Sequence, residues 1–220
     1  MSTVYDCNNE ASRAAGLNAA RGALKAGRLV VVPTDTVYGI AADAFDSEAV
    51  SALLRAKGRG RDMPVPVLVG SWTTIDGLVT SVRPEARELI RAFWPGGLSL
   101  VVHQAPSLAW DLGDTRGTVM LRMPLHPVIL ELLREVGPLA VSSANVSGRP
   151  PATNVTEARE QLGASASVYL DGGPAEHGVA STIVDLTGDR PRVLREGAVT
   201  IDALAEVLGD DPERLRAGGE

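Results

Sequence analysis

Lys57, Arg59 and Arg61 stand at alternate positions in the stretch Ala56-Lys57-Gly58-Arg59-Gly60-Arg61-Asp62-Met63-Pro64. The glycines between them carry no side chain to block a ligand. Of the 21 basic residues in the chain only Lys25 and Lys57 are lysines, which singles Lys57 out. Three cations on a Gly-rich segment suit a polyanion such as a nucleoside triphosphate. The same residues also suit a solvated loop after a helix, where cations complement the negative end of the helix dipole. Both readings stay open on these residues alone.

A second pattern is an apolar run that passes directly into hydroxyls and amides. Val30-Val31-Val32 leads into Pro33-Thr34-Asp35-Thr36-Val37-Tyr38-Gly39, and Leu139-Ala140-Val141 leads into Ser142-Ser143-Ala144-Asn145-Val146-Ser147-Gly148. Strand ends of α/β sheets open onto crevices where ligands bind. Ser and Thr hydroxyls there suit phosphate oxygens, a ribose or a small polar substrate; they also make ordinary turns and helix caps. Arg122 follows an apolar strand and must be paired or face a cleft, because burying a lone charge is costly. Arg195 obeys the same logic, with Glu196 beside it as a ready ion-pair partner. Ser181 and Thr182 add two more hydroxyls.

Other chemistries find no support. The chain has no GxxxxGK[ST] phosphate loop and no GxGxxG fingerprint. His103, His126 and His177 are not spaced as metal ligands, and His126, just before Pro127, reads as a neighbour of a helix N-cap. Ser143 lacks the context of a hydrolase triad. A set of Arg, Lys, Ser and Thr without an evident nucleophile or base fits phosphoryl or nucleotidyl transfer, where positioning and charge neutralisation dominate.

The elements that must position these residues are legible from pattern. At 220 residues, with 45% hydrophobic content, the chain is long enough for one sizeable core. Its formal charge of −6 argues against a generally basic, nucleic-acid-coating surface. One cysteine, Cys7, fits a reducing compartment, and no signal peptide or apolar span is evident, so a cytoplasmic protein is expected. Helices are expected at 11–26, from Asp46 or Ser47 to Ala56, from Pro84, from Pro127 and over 201–208. Strands are expected at Leu29–Val32, Val65–Val69 (confined by Pro66 to an edge or bulge), Leu98–Val102, Val119–Leu121, Leu139–Val141, Val168–Leu170, Thr182–Asp185 and Val193–Leu194. The segment His103 to Gly117 reads as a loop. This interleaving indicates an α/β fold in one domain, residues 1–208, followed by a polar tail over 209–220 whose end is expected to fray.

The segments PTDTVYG (33–39), AKGR (56–59), FWPGGLSLV (93–101), LRMPLHP (121–127), SSANVSG (142–148), STIVD (181–185) and LREG (194–197) occur in an order that closely resembles the YrdC-like family of threonylcarbamoyl-AMP synthases. The resemblance implies a twisted, open mixed sheet flanked by helices around a basic concave cavity. It implies a reaction in which L-threonine, bicarbonate and ATP, with magnesium, give threonylcarbamoyl-AMP and pyrophosphate. A downstream transferase would then modify the adenosine beside the tRNA anticodon, with possible tRNA contact here. It assigns Lys57 and Arg59 to catalysis and Lys57, Arg59, Thr118, Ser143, Asn145 and Arg195 to ATP. Thr34, Thr36, Tyr38, Arg122 and Ser181 would hold threonine, and no protein metal ligand is singled out. The chain departs from the family pattern at Gly60 and Arg61, where Pro commonly follows the first Arg, at Leu68, where His is common, and at Met63, where a polar residue is frequent. An RNA-binding translation factor and a related carbamoyl-adenylate enzyme are the alternatives.

Overall fold

The computed structural model describes residues 2–176 and 178–216, so His177 and the last four residues of the expected tail lie outside the described residues. In chain order the elements are β1 (Thr3–Asp6), α1 (Glu10–Lys25), β2 (Leu29–Val32), β3 (Gly39–Asp43), α2 (Ser47–Lys57), β4 (Val67–Leu68), α3 (Ile75–Leu78) and α4 (Pro84–Phe93). There follow β5 (Leu98–His103), β6 (Thr118–Arg122), α5 (Pro127–Val136), β7 (Leu139–Ser143), α6 (Val155–Leu162), β8 (Ala166–Asp171), β9 (Thr182–Asp185), β10 (Arg192–Arg195), α7 (Ile201–Leu208) and α8 (Pro212–Arg216). The strands form one mixed sheet in the order β1-β8-β2-β3-β7-β4-β6-β5-β9-β10.

Caps set the helix starts. Asp46 accepts from the Glu48 and Ala49 amides to open α2, and Gly58, in the left-handed region at φ 64°, closes it. Lys57 is thereby the last residue of that helix rather than part of the free loop. His126 is itself the N-cap of α5, its Nδ1 accepting from Val128 N at 3.3 Å.

The alternation of strand side chains divides the core. One face carries Leu98, Leu100, Val119, Leu121 and Val184 and is covered by α2, α4, α6 and α7. The other carries Val30, Val32, Ala41, Leu68, Leu139 and Val141 beneath α1 and α5. Those two helices reach only part of that face. Beyond Leu68 the same face continues through Arg122, Met120, Ser99 and Ile183, as the pairings Leu68↔Arg122, Val101↔Met120 and Ser99↔Ile183 require, and no helix among the described residues covers it.

Some expectations need correction. The Val65–Val69 strand is only Val67–Leu68, and it lies inside the sheet between β7 and β6, not at an edge. Pro66 sits just outside this short ladder, where its carbonyl accepts from Val141 N at 2.8 Å and its missing N–H is not needed. The polar tail holds a further helix: Asp211 accepts from Glu213 N at 2.9 Å to start α8, and Leu215 is buried in the core. β1, β3 and α6 are additional elements. No described helix is long and apolar enough to cross a membrane.

Candidate functional site

The uncovered part of the sheet is the floor of a cavity of about 250 Å³. Thr34, Thr36, Tyr38, Arg59, Arg122, Ser143, Ser181 and Arg195, eight of the residues singled out in the sequence, border it. They come from six separate stretches of chain.

Arg122 anchors one end. It is 6% exposed, and its guanidinium is held on three sides. Nε donates to Gly96 O at 2.8 Å, one terminal nitrogen to Thr36 Oγ1 at 2.7 Å and the other to Asp35 Oδ1 at 2.6 Å. Burial pulls its pKa down while Asp35 holds it up. A guanidinium has five N–H groups, so two remain to grip a planar anion such as a carboxylate. Asp35 Oδ1 also accepts from Leu125 N at 2.9 Å, which ties the strand-end loop to the turn after β6. Asp35 is thus the carboxylate that the sequence left unspecified as a partner for Arg122. Thr34 Oγ donates to Val37 O at 2.6 Å and lies 3.1 Å from the Thr36 hydroxyl. Ser181 Oγ lies 2.9 Å from Ser99 Oγ. Tyr38 borders the cavity, but its hydroxyl is engaged by Gly173 O at 2.6 Å, so it supplies a wall rather than a hydrogen bond.

The other end is cationic and, among the described residues, has no counter-charge. Arg59 donates to Ser147 Oγ at 3.1 Å and Ser142 Oγ at 3.3 Å. Arg195 donates from Nε and a terminal nitrogen to Ser181 O at 3.0 and 2.8 Å. A bulge between Val193 and Arg195 sets Arg195 opposite Ile183, and so aims it at the cavity floor while Leu194 is exposed. Glu196, the neighbour that offered a ready ion-pair explanation, is not its partner. Alternation sends Glu196 away from the cavity, where it accepts from Ile201 N at 3.0 Å and stands 3.9 Å from Arg216. Burial lowers the pKa of both arginines, and for Arg195 the charge of Arg59 adds to it.

Lys57 is fully buried just behind this end. Its Nζ donates to Ser143 O, to Asn145 O at 2.7 Å and to Asn145 Oδ1 at 3.2 Å. Burial, and then the charge of Arg59, bring its pKa down to about 7, while the surrounding carbonyl oxygens favour the ammonium form. Asn145 Nδ2 is taken by Arg149 O at 2.7 Å and Val146 O at 3.1 Å. Lys57 and Asn145 therefore shape the Ser142–Asn145 wall from behind. Thr118 stands apart at the start of β6, its hydroxyl donating to Thr115 O at 2.7 Å, on the same face as Met120 and Arg122 but beyond the cavity lining. Among the described residues, Lys57, Arg59 and Arg195 form no ion pair. Uncompensated cations around one concavity in a chain of net charge −6 focus a local positive field suited to a polyanion.

Sequence reasoning missed Pro64, Pro66, Ser99, Met120 and Ile183 as lining residues. For three of them a signal existed: Met120 and Ile183 stand two residues from Arg122 and Ser181, and Ser99 pairs with Ile183, which becomes usable only once strand order is known.

A family model described as telomere recombination, that of the Sua5, YciO and YrdC proteins, matches residues 22–197. A putative threonylcarbamoyl-AMP synthase of Mycobacterium tuberculosis is 67% identical over 215 residues, 98% of this chain and 99% of that protein. The threonylcarbamoyl-AMP synthase of Pyrococcus abyssi is 35% identical over 192 residues, 87% of this chain and 56% of its own length. The crystal structure of P. abyssi Sua5 complexed with L-threonine matches with a TM-score of 0.88 and 32% identity over 96% of this chain, which spans 61% of that longer one. The open mixed sheet, its basic cavity and these likenesses agree: the chain belongs to the Sua5–YciO–YrdC family.

Proposed function

We propose that this chain is a threonylcarbamoyl-AMP synthase, a nucleotidyltransferase that makes threonylcarbamoyl-AMP and pyrophosphate from L-threonine, bicarbonate and ATP. One observation carries the reading. A single cavity joins an arginine with a free two-pronged face, Arg122, to an end where Arg59, Arg195 and Lys57 have no carboxylate partner. Amino acid and polyanion are the two ligands those ends fit. The names of the relatives support the same substrates.

Arg122 would grip the threonine carboxylate, with Thr34, Thr36 and Ser181 offering hydroxyls to its amine and side chain. The amine attacks bicarbonate, and loss of water leaves a carbamate. A carbamate oxygen then attacks the α-phosphorus, and the α–β phosphoanhydride bond breaks to release pyrophosphate. Arg59 and Arg195 would neutralise the phosphate charge that develops, with Ser143 beside them on the cavity wall and Lys57 behind it. Holding both reactants in one cavity supplies the proximity term.

Magnesium would arrive with the nucleotide as part of the substrate. The cavity lining contains no carboxylate, and among the described residues no group of three or more His, Cys, Asp or Glu is placed to hold a metal. The residues present do not form a metal site of their own, and no step is assigned to one. The product would pass to a transferase acting on tRNA in the cytoplasm.

The deciding experiment measures pyrophosphate release from ATP and bicarbonate with and without L-threonine. Release that depends on threonine is expected. Release indifferent to threonine would point to another carbamoyl-adenylate chemistry, and RNA binding without any ATP turnover would point to a translation factor; either result ends the synthase reading.

A further inference from the structure

Arg61 does not line the cavity. Its guanidinium makes a two-pronged ion pair with Asp111, at 3.0 and 2.7 Å, and its Nε stands 3.6 Å from Asp114. The backbones of the two loops are joined at the same place. Asp114 N donates to Arg61 O at 2.7 Å, and Val65 N donates to Leu112 O at 2.9 Å. Gly113 makes the approach possible: its φ is +102°, and a Cβ there would lie 2.8 Å from Arg61 O. Asp111 also accepts from Gly113 N at 3.2 Å, so the acidic partner is itself held.

The clamped segments are two that border the cavity. Arg59 and Pro64, on either side of Arg61 in sequence, both line it. The segment after Asp114 runs directly into β6, which carries Met120 and Arg122 on the cavity floor. The Gly-rich backbone of 58–60 gives the loop little stiffness of its own; Arg59 is tied back to the end of α2 by its amide, which donates to Leu54 O at 2.9 Å, and the cross-loop clamp adds the constraint on the far side of Gly60.

We propose that Arg61, with Asp111 and Asp114, is a latch that holds Arg59 and Pro64 in place against the cavity, which makes Arg61 a positioning residue for the nucleotide. The latch rests on the reading of the cationic end as the ATP site. Its outward-facing carboxylates keep Arg61 off the phosphates, so its influence is indirect: it raises the fraction of molecules whose loop is ready to bind. Apparent affinity falls in proportion to that fraction. Exposed ion pairs are individually weak, so the expected effect is modest and confined to ATP.

The test compares the wild-type chain with Arg61→Ala, Asp111→Ala and the charge-exchanged double variant R61D/D111R. Each single variant is expected to raise KM for ATP about three- to tenfold, with kcat and KM for threonine within about twofold of wild type, and the charge exchange should restore at least half of the loss. Hydrogen exchange without substrates is the second readout. The amides of Met63, Val65 and Asp114 should exchange about fivefold faster or more in Arg61→Ala. If the wild type turns over no ATP, the proposed function fails while the exchange measurement still judges the latch. Unchanged exchange rates, an unchanged KM for ATP, equal changes in both KM values, or no recovery in the double variant would overturn it.

Discussion

Lys57 and Asn145, 88 residues apart in the chain, share two hydrogen bonds: one ammonium reaches both the backbone carbonyl and the side-chain carbonyl of the asparagine. The contact pins the end of α2 to the turn after β7. Since Arg59 follows Lys57 by two residues, and Ser142 and Ser143 precede Asn145, both walls of the cationic end are set by this contact.

Lys57→Met keeps the bulk and removes the charge. It orphans buried carbonyls, at about 1–3 kcal/mol, but also relieves the cost of burying an ammonium. The folding midpoint in urea is therefore expected to move little, while threonine-dependent pyrophosphate release falls about a hundredfold or more, on the scale of losing a charge-stabilising donor. Near-wild-type turnover would remove Lys57 from the machinery.

Proton linkage follows from the same residue. In the ligand-free protein Lys57 is pulled down from 10.5 to about 7. Folding therefore holds fewer protons than unfolding between those values, and this group adds stability as pH rises through that window. A bound polyanion has the opposite effect, because it favours the ammonium. Nucleotide binding at pH 8 should take up a proton, about half or more per site, seen as a buffer-dependent enthalpy in calorimetry. The Lys57→Met variant should show no such uptake, and an uptake that survives the substitution would assign it elsewhere.

Asp35 offsets a charge that is almost wholly buried. Asp35→Ala would leave Arg122 in place without its carboxylate and should destabilise the fold by about 3–5 kcal/mol, read from urea denaturation. Arg122→Lys cannot reproduce the fork and should raise KM for threonine at least tenfold with a smaller effect on KM for ATP. Equal effects on both substrates would contradict the division of the cavity into two ends.

Gly197 lies against the chain it turns over: a Cβ there would overlap the Ala180 carbonyl oxygen and lie 2.8 Å from the Ser181 carbonyl carbon. Those groups are backbone and cannot swing aside. Gly197→Ala should shift the turn that carries Arg195, destabilising by about 1–3 kcal/mol and weakening ATP more than threonine. A variant with wild-type kinetics would show that Arg195 does not depend on this turn.

The sequence made the chemistry more legible than the geometry that presents it. Arg59, Arg122, Ser143 and Arg195 announced themselves through residue type and motif. Strands such as Leu98–Val102 and Leu139–Val141 were readable because apolar runs flanked by turn residues carry a local signal. β3 was not, because Gly39-Ile40-Ala41-Ala42-Asp43 has one β-branched residue, Ile40, among Gly, Ala and Asp, which are depleted in strands. It is a strand because both neighbours pair with it. α6 did carry a signal, Asn154 capping the Glu157 amide at 3.0 Å, but Thr, Glu and Arg on its surface diluted the apolar period. Asp35 and Glu196 were misjudged or left open for one reason: whether a carboxylate pairs with an arginine depends on which face of a strand or turn each occupies. A bulge in β10 and a strand-end turn decide that, and neither is visible without the partner strand.

The sheet's second face is covered by α1 and α5 over only part of its width, and the remainder is cavity floor. As architecture, this is a layered protein with one layer unfinished, and under the proposed function the reactants would be the absent layer. A ligand seated against Met120, Arg122 and Ile183 does for that part of the sheet what a helix does for the rest. At a hundred times its dissociation constant it would add about 2.7 kcal/mol to folding. Supply of nucleotide and amino acid would then govern how much of the chain survives as well as how fast it works, with scarcity exposing the same surface to heat and proteases.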